Sequence, residues 1–120
     1  MYYTEDQKTL AWEHARQVAG YNPDKYRQDA CGAWIAWDKY GEIDNVYGWQ
    51  IDHIYPQSKG GNDNPLNLRA LHVKNNQSKG DDYPSYYASV TSDGNKNKLV
   101  RQVFTVNRDK QQQLRKLYNL

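Results

Sequence analysis

Residues 50–80 read QIDHIYPQSKGGNDNPLNLRALHVKNNQSKG, and this stretch decides the fold. From Trp49 to Ile54 apolar and polar residues alternate as they do on a half-buried strand. Tyr55 to Pro65 holds Pro56, Ser58, Gly60, Gly61, Asn62, Asp63 and Asn64 and is a loop by composition. Leu66 to His72 offers a second short strand, and Val73 to Lys79 a helix that Gly80 terminates. Asp52 and His53 are neighbours on the first strand, so their side chains leave the backbone on opposite sides. A metal then has room on one side and a base on the other. If the helix folds back over the strands, Asn76 adds an oxygen to that of Asp52. Such oxygens suit Mg²⁺ or Mn²⁺, hard ions that keep several waters and gain ligands from a substrate phosphate. His53 supplies an imidazole, the side chain suited to taking a proton from an attacking water near neutral pH.

Outward from this stretch the signals are local. Thr4-x-x-Gln7 has capping-box spacing, and Leu10, Ala11, Ala15, Val18 and Ala19 recur near helical period, which predicts a helix over 5–19 ended by Gly20. After the turn Tyr21-Asn22-Pro23, residues 24–29 are expected to make one helical turn. Cys31 to Trp37 reads as a short apolar strand or a packed loop, with Trp34 and Trp37 in the core. Residues 86–91 and 99–106 read as two strands joined by the turn-rich 92–97, and 109–120 as a closing helix with Leu114 and Leu117 inward.

Composition bounds the rest. The chain has 120 residues, room for one small domain. Mean hydropathy is −1.11, but 11 Tyr and 4 Trp offset the shortage of aliphatic residues, since each buried aromatic removes roughly 150–250 Å² from water. No stretch approaches a membrane span, and the start Met-Tyr-Tyr-Thr-Glu-Asp lacks the pattern of a signal peptide, so a cytoplasmic protein with no membrane partner is expected. Cys31 is alone, which excludes an internal disulfide and a four-cysteine zinc site. Net charge is +2 but unevenly spread. Residues 95–120 hold seven basic residues against Asp109 alone, a net +6, while the other 94 carry nine basic and thirteen acidic groups, a net −4. That asymmetry is a signature of a polyanion-binding arm, with Lys98, Arg101, Arg108, Arg115 and Lys116 as its phosphate-contacting candidates. Basic residues spaced along a strand and a helix are otherwise a solvated face.

Three segments together resemble a known family: Ile51-Asp52-His53-Ile54-x-Pro56-x-Ser58-x-Gly60-Gly61, then Asn67-Leu68-x-x-Leu71, then Asn76-x-x-Lys79-Gly80. They are similar to the ββα-metal motif of the HNH endonucleases, over about a quarter of the chain. The stretch from Asp29 through Tyr47-Gly48-Trp49 also resembles small bacterial and phage members. The resemblance implies an α+β single domain over 1–120, with a ββα-metal core at about 48–80, an N-terminal helix, and a C-terminal β-hairpin and helix. It implies hydrolysis of DNA phosphodiester bonds with one divalent cation, Mg or Mn, in a bacterial or phage-infected cell, by a monomer or weak homodimer. It assigns His53 as general base, Asp52 and Asn76 as metal ligands, Asn67 as the residue that holds the loop and orients the base, and Lys79 as a phosphate contact. Two departures stand out. His72 and Asn75 occupy the usual places of a second zinc-binding cysteine pair, so no structural zinc is expected, and Gln50 stands where a Glu is frequent. His72 is then expected to satisfy a backbone group or to approach the metal. Two other function classes share these features: a non-catalytic nucleic-acid-binding module on the same fold, and an interbacterial toxin-type nuclease.

Overall fold

The computed structural model describes residues 2–120. Along the chain run α1 (Glu5–Glu13), β1 (Tyr26–Gln28), β2 (Trp34–Ala36), β3 (Trp49–His53), β4 (Leu68–His72), α2 (Val73–Lys79), β5 (Ser85–Asp93), β6 (Lys96–Thr105) and α3 (Arg108–Tyr118). The strands form three antiparallel pairs, β1–β2, β3–β4 and β5–β6, giving the expected α+β class. No helix among the described residues is long and apolar enough to cross a membrane.

β3 and β4 pair from Trp49↔His72 to His53↔Leu68. Because side chains alternate along each strand, Trp49, Ile51, Leu68 and Ala70 share a cluster with Ala11 and Trp12 of α1, closed by Tyr3, Trp37 and Tyr40. Trp12, Trp37 and Trp49 meet there with ring centroids 5.3–5.8 Å apart. Leu71 belongs to a second cluster with Ile54, Tyr86, Ala88, Val106 and Leu114, so the hairpin and α3 cover the opposite side. The β3–β4 ribbon therefore divides two small aromatic-rich cores. Helix α2 follows β4 without a connecting residue and packs back on it and on β5.

Three expectations need correction. The first helix ends at Glu13, not at 19. The Arg27 guanidinium takes the carbonyls of Glu13 (3.2 Å) and Ala15 (3.3 Å), and the backbone of Arg16 leaves the helix to exchange two hydrogen bonds with Gln28. Residues 26–28 are consequently a strand and not a helical turn. The turn between β1 and β2 is fixed by buried Asp29, whose Oδ1 accepts from the N–H groups of Cys31 and Ala33 and whose Oδ2 accepts from the N–H of His72. Finally, Trp37 is only half-buried, in a 3₁₀ turn, while Trp34 is buried against Tyr21 and donates its indole N–H to the Gly94 carbonyl. Cys31 is packed beside Tyr86, and burial together with the Asp29 carboxylate pushes its thiol up to about 12, which leaves no nucleophile there.

Candidate functional site

The two neighbours Asp52 and His53 face different environments. Asp52 is buried, and its Oδ2 accepts from Arg69 Nε at 2.9 Å. Arg69 lies directly across the ladder, in the register Asp52↔Arg69. The other oxygen, Oδ1, is 3.3 Å from Nζ of Lys79, which also donates to the His53 carbonyl at 3.2 Å. Asn76 and Lys79, three residues apart on one face of α2, thus meet Gln50 and Asp52, two residues apart on one face of β3. α2 does fold back over the strands. Burial works against the Arg69 charge, but the Asp52 carboxylate outweighs it and holds the guanidinium pKa above its ordinary value. For Lys79 burial dominates and the neighbouring Arg69 charge adds to it, so its ammonium pKa is lowered despite Asp52.

This geometry corrects the role expected for Lys79. Its side chain has no exposure, so it cannot reach a phosphate on the surface and serves instead as an internal counter-ion. It also decides whether a cation fits beside Asp52. One carboxylate already answers two cationic groups, and Arg69 Nη2 is buried without an acceptor, so the local shortfall is of negative charge. The amide of Asn76 is engaged separately, its Nδ2 donating to Gln50 Oε1 at 2.9 Å. Among the described residues no three His, Cys, Asp or Glu side chains are grouped to hold a metal. As placed, Asp52 has both oxygens on cationic groups, whereas Asn76 is held through its Nδ2 and not through the oxygen that would ligate an ion.

His53 opens the other way. Its Nε2 is 2.7 Å from Asp63 Oδ1, and its Nδ1 is 3.5 Å from the Tyr3 hydroxyl. A carboxylate oxygen accepts, so in the neutral ring the partner places the proton on Nε2 and the lone pair on Nδ1. Burial, reinforced by the charges of Asp63 and Asp52, pushes the Tyr3 phenol up to about 12, so Tyr3 faces the imidazole as a neutral hydroxyl. Tyr3 also lines a surface cavity of about 460 Å³ with Tyr2, Tyr40, Gln50, Ile51 and Asn76. Tyr3 is therefore the residue shared between the His53 ring and the cavity that Asn76 lines; neither Asp52 nor His53 itself lines that cavity.

Asn67 is fully buried and clamps the loop between the strands. Its Oδ1 accepts from Tyr55 N–H (2.7 Å) and its Nδ2 donates to the carbonyls of Tyr55 and Asn62 (both 3.0 Å). Gly61 is needed at the closure, because a β-carbon there would run into the Tyr55 carbonyl. His72 satisfies backbone: Nδ1 accepts from Lys74 N–H as the N-cap of α2, and Nε2 donates to the Val46 carbonyl. Asn75 is a second buried tie, accepting from Ser89 and Val90 N–H and donating to Asp29. Lys98 and Arg101 lie on β6, Arg108, Arg115 and Lys116 on α3, and all five are exposed, so the basic segment is two surfaces and not one arm.

Sequence reasoning passed over Asp63, Tyr3 and Arg69. Arg69 was within reach, because pairing the two strands in register places it opposite Asp52. Asp63 carried no such signal: within Asn62-Asp63-Asn64-Pro65 it is one turn-former among several. Against known proteins, residues 39–85 match a family model described as HNH endonuclease. No curated protein and no solved structure matches the chain.

Proposed function

From the match of residues 39–85 to the HNH endonuclease family, we propose that this chain hydrolyses phosphodiester bonds of DNA with His53 as general base. The observation that carries the reading is the His53 ring itself, its Nε2 on a carboxylate and its Nδ1 directed to a neutral hydroxyl beside an open cavity. Nδ1 takes the proton of a water as the water oxygen bonds to phosphorus, the P–O bond to the leaving sugar oxygen breaks, and that oxygen takes a proton from solvent; Asn67 keeps the loop that flanks the ring in one conformation. The exposed cations of α3 and β6 favour a polyanionic substrate. A single such centre per monomer makes a nick the natural product.

The family also implies a divalent ion, with Asp52 and Asn76 as its ligands. For Asp52 to serve, it must exchange Lys79, the longer of its two contacts, for the ion. Supercoiled plasmid incubated with Mg²⁺, Mn²⁺ or chelator tests both parts of the reading. The expected result is nicked circles that chelator suppresses, and loss of about 10²- to 10⁴-fold in rate for His53→Ala with DNA binding retained. Cleavage by His53→Ala at the wild-type rate refutes the base assignment; binding without turnover by the wild type leaves a non-catalytic nucleic-acid-binding module.

A further inference from the structure

Given the reading of His53 as the base, we propose that Asp63 is the positioning residue that fixes the His53 ring, and that α3 holds Asp63 in place through Tyr118. The Asp63 carboxylate is 2.7 Å from Nε2 but its side chain is 48% exposed, and an exposed pair of this kind adds little to stability. Its consequence is geometric: an acceptor on Nε2 keeps the lone pair on Nδ1 and stops the ring from turning about its Cβ–Cγ bond.

The turn that presents Asp63 is tied on both sides. The Tyr118 hydroxyl donates to Asn62 Oδ1 (2.8 Å) and accepts from Asn62 N–H (3.1 Å). Asn67 Nδ2 donates to the Asn62 carbonyl, Asn64 N–H donates to Asn62 Oδ1 (3.1 Å), and Leu66 N–H donates to Asn64 Oδ1 (3.0 Å). Tyr118 meanwhile stacks on Tyr55, centroids 5.3 Å apart, at the other end of the same loop. A C-terminal helix far from His53 in sequence thereby fixes the residue next to the one that orients its ring.

The test uses the full chain and two variants. Asp63→Ala removes the acceptor from an exposed position; Tyr118→Phe removes both bonds to Asn62 and keeps the stacked ring. In plasmid nicking, Asp63→Ala is expected to lower kcat roughly 10- to 100-fold, within the span a general base contributes. KM should change by less than about twofold, since Asp63 is not assigned a substrate contact, and Tyr118→Phe should show a smaller loss of the same kind. Independently of activity, the proton on Nε2 should give a downfield imidazole resonance protected from exchange, identified by its loss in His53→Gln. It should disappear in Asp63→Ala, with thermal stability unchanged. Wild-type kcat in Asp63→Ala, or a protected proton that survives that substitution, overturns the proposal. A wild-type chain that shows the Asp63-dependent proton but cuts no nucleic acid refutes the nuclease reading instead.

Discussion

The two sides of β3 handle charge in opposite ways. On the Asp52 side a carboxylate is buried between Arg69 and Lys79, sealed by Tyr86 and the second core; on the His53 side an imidazole meets a half-exposed carboxylate. Buried ions hold a position firmly because removing one leaves its partners uncompensated. Exposed pairs contribute direction rather than stability. The ribbon thus gains its rigidity from one face and carries the half-exposed His53–Asp63 pair on the other, although the two side chains are adjacent in sequence.

The largest effect that follows is on stability. Asp52→Ala strands two cationic groups in the interior and should cost about 3–5 kcal/mol, read as a lower urea midpoint. His53→Ala in the same experiment should leave the midpoint nearly unchanged. If both variants unfold alike, the division between the two faces is wrong.

A smaller effect belongs to Asn67, which joins the faces at their common loop. Asn67→Ala removes three hydrogen bonds from a fully buried amide and leaves backbone groups of Tyr55 and Asn62 unpaired, a loss of about 1–3 kcal/mol. Because the same loop carries Asp63, the variant should also nick more slowly than its residual folded fraction accounts for. A rate that tracks the folded fraction alone would make Asn67 purely structural.

Much of this arrangement is written locally in the chain. Alternation over 49–54, the Gly80 stop and the Asn-rich loop are short-range signals, and β3, β4 and α2 fall where they point. The misread elements were set by distant partners. Nothing within 5–19 announces that Arg27 will cap the helix at Glu13, and the pairing of residues 26–28 depends on β2 and on Asp29 reaching the N–H of His72. The site divides likewise. His53 and Asn67 are marked by the resemblance of three segments to the family motif, whereas the burial of Lys79 is legible only once Asp52 and Arg69 are paired across the ladder. Asp63 meets His53 because the loop closes over Gly60 and Gly61 and is held from α3, a contact that no sequence period encodes.

The smallest effects concern the exposed cations, and here the fold sharpens what charge counting left as one segment. Arg115 and Lys116 precede Tyr118 on α3, whose hydroxyl is bonded to Asn62 beside Asp63, so they lie on the helix end that reaches the His53 loop. Lys98 and Arg101 are on β6, with Lys98 near His72 and Val46 and Arg101 laid over the Tyr87 ring at 4.3 Å. Each lysine or arginine that touches a phosphate contributes about one unit to the slope of log affinity against log salt. Changing Arg115 and Lys116 together to Gln should therefore lower that slope by about two, with only a modest loss of affinity at low salt. The same change at Lys98 and Arg101 should leave the slope where it was, because a nucleic acid engaged at His53 is served by the helix tied to the His53 loop and not by β6. Equal losses from the two pairs would mean that the substrate wraps both surfaces, and the contact face would have to be drawn around the hairpin as well.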